Sequence, residues 1–392
     1  TQNSNIAIID GKEYSLKSNV IKKDDVLYAG AELLSFLGKS YKVNFGILAV
    51  GEHTENDITG LLDYAGIYVK NDRTNGVGIP LSPVNSLEYA KSLAADRINN
   101  IGDDYPVYIF IHGGAYKFTK TLDFNKNIFG NKEKKGLSIE AYGDGDVIFT
   151  GAEELNINDF EEVTDAEILA RLPQSARGKV GVLDLRKAGI SAYNTSKRVY
   201  ASFFLDDKEQ IISRWPNVGF SKATSVSGDS FGFEGVTPLR WKEAKEARIY
   251  GYFKADYFYD MQLMAGIDEA QKMIKGAGAT FSKGREGSRY CVWNLLEEID
   301  MPGEYFTDKY NMKIYYYPPY TLKNTKAEII TFFDTMLEFN ECSNIEIKGI
   351  NFDKSGGQVI VADGVDGLTV KDCSFKNMQQ VNTISVANNS YN

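Results

Sequence analysis

Four aspartates near the C-terminal end of the chain could act as general acid, general base or nucleophile: Asp353, Asp363, Asp366 and Asp372. A carboxyl group serves in these roles when a second carboxyl lies close by and the two differ in protonation state. Aspartate beside glycine is also a common turn residue, so a solvated turn is the alternative interpretation for each of the four. The strands and turns that contain these aspartates decide between a catalytic role and a solvated turn.

The aspartates lie in a segment whose apolar residues repeat after 23 positions, SNIEIKGINFDKSGGQVIVADGVDGLTVKDCSF (343–375). Four apolar residues return one period later: Ile345, Ile347, Ile350 and Phe352 as Leu368, Val370, Cys373 and Phe375. A period of about 20–30 residues indicates stacked coils of short strands, with parallel neighbours about 4.8 Å apart. Strand alternation then directs Ile345 and Ile347 inward and Glu346 outward.

This spacing permits a test for a catalytic pair of carboxyls. Retaining glycosidases use carboxyls about 5–5.5 Å apart, close to one coil spacing, and inverting ones about 6.5–9.5 Å. At a shift of 23 the four aspartates face residues that are not acidic: Lys376 for Asp353, Asn340 for Asp363, Ser343 for Asp366 and Gly349 for Asp372. We therefore expect a catalytic pair to use loop acids or residues beyond Asn392.

Several longer segments resemble a known family. NGVGIPLSPVNSLEYAK (75–91), VYIFIHGGAYKFTKTLDF (107–124) and LSIEAYGDGDVIFTGAEEL (137–155) resemble the opening of right-handed parallel β-helix carbohydrate-active enzymes. IISRWPN (211–217) and SRYCVWNLLEEIDMPGEYFTDKYNMKIYYYPP (288–319) continue the resemblance. The architecture that this implies is that of β-xylosidase-type glycoside hydrolases, in which a β-sandwich interrupts the β-helix.

The domain organisation follows from the resemblance and from local patterns. Short apolar strands such as VGVLDL, ARIYGYF and KIYYYPP, separated by turns, favour an inserted all-β unit. We expect a mainly β chain with a small N-terminal α+β module. The expected segments are a module over 1–69, the first part of a β-helix with a capping helix over 70–150, an inserted β-sandwich over 151–325, and β-helix coils over 326–392 that continue beyond the chain.

The first 69 residues have a pattern of their own. IAIIDGKEYSL and DDVLYAG have strand character with a turn at Asp10 and Gly11, and AELLSFLGKSYKVN predicts a short helix ending at Gly38, followed by a strand. These stretches resemble the copper-amine-oxidase N-terminal-like module of bacterial surface proteins. The resemblance implies a non-catalytic module without copper, and the chain has only two histidines.

Composition excludes several classes of function. The net charge of −9 disfavours nucleic acid, whose phosphates attract Lys and Arg. No apolar run is long enough to span a membrane. The chain has only two histidines and three widely separated cysteines, which do not match the ligand spacing of a zinc site. We expect no metal and no cofactor. We expect an extracellular or cell-surface location.

Two classes of function remain, with polysaccharide or oligosaccharide as the partner in both. The first is a secreted glycoside hydrolase, or a fragment of one, that acts in a groove along the coils. The second is a non-catalytic surface protein that binds polysaccharide or a cell wall. A polysaccharide lyase is a further alternative, although the acids are too sparse to indicate a calcium-assisted mechanism.

Overall fold

The computed structural model describes most of the chain after residue 65 and six strand backbones before residue 51. The later described residues are 66–71, 76, 78, 82–100, 106–129, 136–191, 193, 200–277, 284–320, 322–380 and 382–388. Within them no helix is long and apolar enough to cross a membrane.

The early strands pair as three antiparallel hairpins, β1 with β2, β3 with β4 and β5 with β6. The strands β1 and β2 flank the predicted turn. The predicted helix ending at Gly38 lies outside the described residues. The six strands are β1 (Ile6–Ile9), β2 (Lys12–Ser15), β3 (Ile21–Lys23), β4 (Val26–Tyr28), β5 (Tyr41–Asn44) and β6 (Ile47–Val50).

The next part of the chain contributes six strands and two helices to a stack of parallel strands. Its strands are β7 (Ile67–Val69), β8 (Val107–Ile111), β9 (Gly114–Lys117), β10 (Leu122–Asn125), β11 (Leu137–Ala141) and β12 (Val147–Thr150). Its helices are α1 (Leu87–Asn100) and α2 (Lys126–Phe129).

The N-terminus of helix α1 is capped by Ser86, whose hydroxyl accepts a hydrogen bond from the backbone N–H of Tyr89 at 3.1 Å. Its apolar face, Ala90, Ala94 and Ile98, is buried against β7 and β8.

A long insertion of 17 strands and one α-helix follows β12 in the described residues. Its helix is α3 (Ala166–Arg171). Its strands are β13 (Ala152–Leu155), β14 (Glu161–Glu162), β15 (Gly181–Asp184), β16 (Phe203–Leu205), β17 (Lys208–Glu209), β18 (Ile211–Ile212), β19 (Arg214–Trp215), β20 (Ser221–Lys222), β21 (Val226–Ser227), β22 (Ser230–Gly232), β23 (Arg248–Tyr252), β24 (Asp260–Asp268), β25 (Met273–Ala277), β26 (Arg289–Trp293), β27 (Glu304–Asp308), β28 (Lys313–Tyr316) and β29 (Ala327–Ile330).

The parallel stack resumes after the insertion with seven more strands. They are β30 (Leu337–Asn340), β31 (Ser343–Lys348), β32 (Ile350–Ser355), β33 (Ile360–Asp363), β34 (Asp366–Lys371), β35 (Ser374–Met378) and β36 (Ile384–Ala387). The strand before them, β29, pairs antiparallel with β13 and β16 and so belongs to the sheets of the insertion.

The parallel strands form three sheets that the chain visits in turn. The first sheet has the order β7-β8-β11-β31-β34, the second β9-β12-β32-β35 and the third β10-β30-β33-β36. All their pairings are parallel. The insertion leaves the stack after a strand of the second sheet and returns before a strand of the third, so it replaces one turn of a coil.

The register agrees with the predicted shift of 23 residues. Leu337 pairs with Ile360, and Ile345 pairs with Leu368. Ile345 is buried, whereas its neighbour Glu346 is half-buried and faces outward, as the alternation predicts. Burial of the aliphatic rows explains the stack, because a single coil has too little interior to exclude water from its own apolar residues.

Aromatic side chains join coils from either side of the insertion. The rings of Phe124 and Phe339 stack with centroids 4.8 Å apart, and those of Phe149 and Phe352 lie 5.5 Å apart. All four are fully buried in one apolar cluster. The two segments of the stack therefore share a single core although the chain separates them by the whole insertion.

The insertion consists of three further sheets. Their strand orders are β13-β29-β16-β17, β14-β15-β28-β27-β18, and β19-β26-β23-β24-β25-β22-β21 with β20 beside β26. All pairings are antiparallel except β18 with β27. Side chains of the first two sheets, among them Phe203 and Tyr316, share one buried cluster, and the third sheet has a separate one.

The insertion is fixed to the coils at its root by Gly151, which directly follows β12. Its backbone N–H donates to the carbonyl of Lys354 at 3.0 Å, and its carbonyl accepts from Phe332 at 3.0 Å. A Cβ at this position would lie 2.9 Å from the Lys354 carbonyl oxygen, so the close approach requires glycine.

Candidate functional site

The four predicted aspartates lie on different sides of the stack, and the structure does not bring them together. Asp353 is in β32 of the second sheet, and Asp363 ends β33 of the third sheet. Asp366 begins β34 of the first sheet opposite Ser343. Asp372 is exposed in the turn after β34 with φ 53°. Only Asp353 lies in a cavity among those described below.

The Asp353 cavity forms where the outer face of the second sheet meets the insertion, and its volume is about 570 Å³. Parallel register aligns its wall in rows, with Asn351 beside Ser374 and Asp353 beside Lys376. Strand alternation explains why these polar residues face outward together. The lining residues are Asp146, Ile148, Asp207, Asn351, Phe352, Asp353, Ser374, Lys376 and Asn377.

A buried cation connects the two sides of this cavity. Lys354 Nζ donates to Asp353 Oδ2 at 2.6 Å and to Asp207 Oδ1 at 2.7 Å. It also forms an ion pair with Glu328 Oε2 at 3.2 Å. Asp207 and Glu328 come from the insertion, whereas Asp353 and Lys354 come from β32. The lysine side chain is only 2% exposed, so these carboxylates replace the water that would otherwise solvate its charge.

Local backbone conformation positions both partners. Asp206 and Asp207 form the two-residue connection between β16 and β17, with φ values of 44° and 61°. Two left-handed residues in such a hairpin match the twist of the strands, and aspartate tolerates that region better than most residues. Lys354 also has a positive φ, 54°, and its buried side chain lies beside that of Asp353.

The charges of the cluster reinforce one another. Burial opposes the charge on Lys354, but hydrogen bonds to Asp207 and Asp353 and the charge of Glu328 outweigh it, so the pKa of Lys354 is raised. The hydrogen bond from Lys354 lowers the pKa of Asp207. The resting cluster thus contains a firmly protonated lysine and an ionised Asp207.

Asp353 and Asp207 differ in how far they reach solvent. The side chain of Asp353 is 21% exposed, and its second oxygen, Oδ1, accepts a hydrogen bond from Asn377 Nδ2 at 2.8 Å. Asp207 is 69% exposed and belongs to a surface hairpin. Asp353 is therefore held on two sides, while Asp207 is held by Lys354 on one side and is open to a ligand on the other.

The sequence analysis missed one pair of stacked acids. Asp123 in β10 pairs in register with Glu338 in β30, which makes them neighbours on the outer face of the third sheet. Lys91 donates to Asp123 Oδ1 at 3.0 Å and lowers the pKa of that carboxyl. Asn340 donates to Glu338 Oε1 at 3.0 Å. Because the insertion separates the two strands, the repeat of 23 gives no signal for this pair.

Within the described part of the chain, no group of three or more His, Cys, Asp or Glu side chains is arranged to hold a metal ion. The Asp353 cavity is instead lined by carboxylate, amide, hydroxyl and ammonium groups. Such a set can hydrogen-bond a polyhydroxylated ligand, since carboxylates accept hydrogen bonds from hydroxyls while amides and Lys376 donate hydrogen bonds to them.

Comparison with known proteins gives information on the fold. No family model matches the chain, and no curated protein matches it. A solved structure described as "Glycoside hydrolase" is similar with a TM-score of 0.57 and 15% identity, over 74% of this chain and 51% of that chain. This chain thus spans about half the length of that protein.

A second solved structure, "The complex structure of XylC with xylose", has a TM-score of 0.30 and 12% identity, over 78% of this chain and 40% of that one. A TM-score this low supports no argument. The first similarity shows that the mainly β fold with several sheets is shared with a structure described as a glycoside hydrolase, and at 15% identity it informs on the fold alone.

Proposed function

We propose that the chain is a carbohydrate-active protein that binds a saccharide in the Asp353 cavity and belongs to a glycoside hydrolase. Its proposed architecture is a right-handed parallel β-helix interrupted by a β-sandwich. The chain passes through three parallel sheets in turn, which supports the β-helix. The first two sheets of the insertion share one buried apolar cluster, which supports the sandwich. Polysaccharides are met outside the cell, so an extracellular or cell-surface location accompanies this proposal.

One observation carries the enzymatic part, namely that Asp353 and Asp207 both bind Lys354 Nζ. Their contacting oxygens lie 2.6 and 2.7 Å from one nitrogen and are therefore at most about 5.3 Å apart, which favours the short carboxyl separation of about 5–5.5 Å in retaining glycosidases over the 6.5–9.5 Å of inverting ones. Asp353, held from two sides, is the proposed nucleophile. Asp207, open to solvent, is the proposed acid and base.

The mechanism requires a change at Lys354 when a saccharide binds. An ionised Asp207 can activate water in the second half of a retaining reaction, but in the first half it must hold a proton. A sugar hydroxyl that replaces Lys354 beside Asp207 would remove the cause of its lowered pKa. Lys354 would then remain with Asp353 and keep the nucleophile charged.

A second candidate is saccharide binding without cleavage, which includes binding to a cell wall through the N-terminal module. The observation in its favour is the ionised resting state of Asp207, which lacks a proton to give to a leaving group. A lyase has less support, because its base would have to be deprotonated and the pKa of the buried Lys354 is raised.

The test of the proposal compares Asp353→Asn with Asp372→Asn, whose aspartate lies in an exposed turn away from the cavity. With a panel of aryl glycosides and neutral oligosaccharides, we expect Asp353→Asn to reduce kcat at least about a hundredfold and Asp372→Asn to leave it unchanged. The products are quantified by chromatography, and their anomeric configuration is read by NMR at early times.

Other outcomes assign the chemistry elsewhere. Full activity in Asp353→Asn together with loss in Asp123→Asn or Glu338→Gln would transfer the reaction to the third sheet. Saccharide binding by the wild-type chain without any product would support the binding candidate. Inversion at the anomeric carbon would contradict the proposed roles of Asp353 and Asp207.

A further inference from the structure

A second and larger cavity lies within the insertion, about 1010 Å³ in volume. It forms between helix α3, the segment 243–246 and the turn that joins β27 to β28, and it shares no lining residue with the Asp353 cavity. Its volume is at the upper end for small-ligand sites. The lining residues are Glu167, Ile168, Ala170, Arg171, Glu243, Lys245, Glu246, Phe306, Asp308, Tyr310 and Asn311.

Several charged side chains of this cavity are held in place by hydrogen bonds and an ion pair within the protein. Arg171 Nε donates to Glu297 Oε1 at 2.7 Å, so the guanidinium is paired with a carboxylate that is 1% exposed. Asp308 accepts from the backbone and the side-chain amide of Asn311 at 2.9 and 2.7 Å. Glu246 accepts from the backbone N–H of Lys309 at 3.1 Å. These contacts hold the polar walls in place without a ligand.

The lining limits the charge of a ligand. Four carboxyl groups face only two basic side chains, one of which is committed to Glu297, so an anion would be repelled. No metal-binding group of three or more His, Cys, Asp or Glu occurs among the described residues. The lining therefore disfavours an anionic ligand and suits one that offers hydroxyl donors to carboxylates.

Two aromatic side chains at the cavity add a preference for ligands with sugar rings. Tyr310 is 71% exposed at the cavity and Phe306 is buried beside it. The face of an aromatic ring carries partial negative charge and attracts the weakly positive C–H bonds on the flat side of a sugar ring. A ring face next to carboxylate acceptors is thus suited to a pyranose, which has C–H bonds on its faces and hydroxyls around its edge.

We propose that the cavity lined by Tyr310, Glu243 and Asp308 is a second, non-catalytic binding site for a neutral saccharide. This site does not depend on Asp353 or on any reaction there. Burial raises the pKa of Glu246, whose carboxyl accepts a hydrogen bond from the backbone N–H of Lys309.

The test is isothermal titration calorimetry of the full chain with xylotriose, cellotriose and maltotriose. We expect Tyr310→Ala and Glu243→Ala each to weaken binding at the second site about tenfold, through loss of the ring face and of a hydroxyl acceptor. Tyr257→Ala is the matched control, because Tyr257 is 89% exposed and does not line the cavity. Asp207→Ala, which removes a hydroxyl acceptor from the Asp353 cavity, serves to separate the two sites.

The results distinguish failure of this site from failure of the first. Binding that is weakened in Asp207→Ala but unchanged in Tyr310→Ala and Glu243→Ala would overturn the second site and leave the first. Binding that is weakened in Tyr310→Ala and unchanged in Asp207→Ala would overturn the first site and leave the second. Equal weakening in Tyr257→Ala, or no binding of any of the three trisaccharides, would also overturn the second site.

Discussion

Replacement of Lys354 by methionine is expected to lower the free energy of unfolding by about 3–5 kcal/mol. The lysine is almost fully buried, and its removal leaves the carboxylate of Asp353, 21% exposed, without a cation, while Glu328, 10% exposed, keeps only its ion pair with Lys326. Breaking a buried pair from one side costs much more than the pair contributes, because the remaining charge stays desolvated. Methionine preserves most of the side-chain volume, so the effect measures charge.

Urea unfolding followed by circular dichroism measures this change, with Lys376→Met as the control. Lys376 lies beside Asp353 on the same sheet but is exposed, and we expect its replacement to change stability by less than about 0.5 kcal/mol. Equal destabilisation by the two substitutions would contradict the assigned role of Lys354.

The stability difference between wild type and Lys354→Met is also expected to change with pH in a defined direction. The folded-state pKa of Asp207 is lowered, so its contribution is present above the unfolded pKa and is lost as pH falls through the folded one. The raised pKa of Lys354 makes its contribution persist to pH values above the ordinary lysine range. The difference in stability between wild type and Lys354→Met should therefore be constant near neutral pH and shrink in acid.

Replacement of Phe339 by alanine is expected to destabilise the chain by about 3–5 kcal/mol. The Phe339 ring is fully buried and stacks on Phe124, which belongs to the coil before the insertion. Removal of the ring loses both its transfer free energy and contacts with neighbours that relax only in part. The control is Phe258→Ala, since Phe258 is 42% exposed on the insertion.

A double-mutant cycle makes this test specific to the junction between the two segments of the stack. Phe124→Ala, Phe339→Ala and the double variant should show a coupling energy of about 0.5–3 kcal/mol, because the two rings share one site in the core. Additive effects within about 0.3 kcal/mol would mean that the rings do not contact, and that the strands before and after the insertion do not share one core.

Much of the stack could be predicted from the sequence because its signals are local or periodic. The repeat after 23 residues gave the register of Ile345 with Leu368, and alternation gave the buried and outward faces. The helix expected within 70–150 is present as α1, Leu87–Asn100. Each of these depends on residues that are near in sequence or one coil apart.

The polar partners at the site could not be predicted in the same way. Lys354 and Asp207 are 147 positions apart, and nothing in either local sequence indicates the other. The stacking of Asp123 over Glu338 is hidden because the insertion breaks the period that would otherwise reveal it. Asp353 was found from its position in the repeat, but the repeat does not reveal that its neighbour Lys354 binds carboxylates of the insertion.

The arrangement of the site follows from the joining of two units. The coils provide a fixed ladder of outward polar residues, and the insertion brings a hairpin with Asp207 against it. Sites between units commonly bind small ligands, because neither surface alone is concave. Lys354 holds the Asp207 hairpin of the insertion against β32 by pairing with both Asp207 and Asp353. The stability of this junction and the geometry of the cavity therefore depend on the same ion cluster.

The most direct measurement of the central claim is a crystal structure of the Asp353→Asn chain with a trisaccharide that the wild type binds or cleaves. We expect electron density for a sugar ring in the cavity between the second sheet and the insertion, with a hydroxyl within hydrogen-bond distance of Asp207 or Asn377. Density that lies along the third sheet beside Asp123 and Glu338, with the Asp353 cavity empty, would contradict the account.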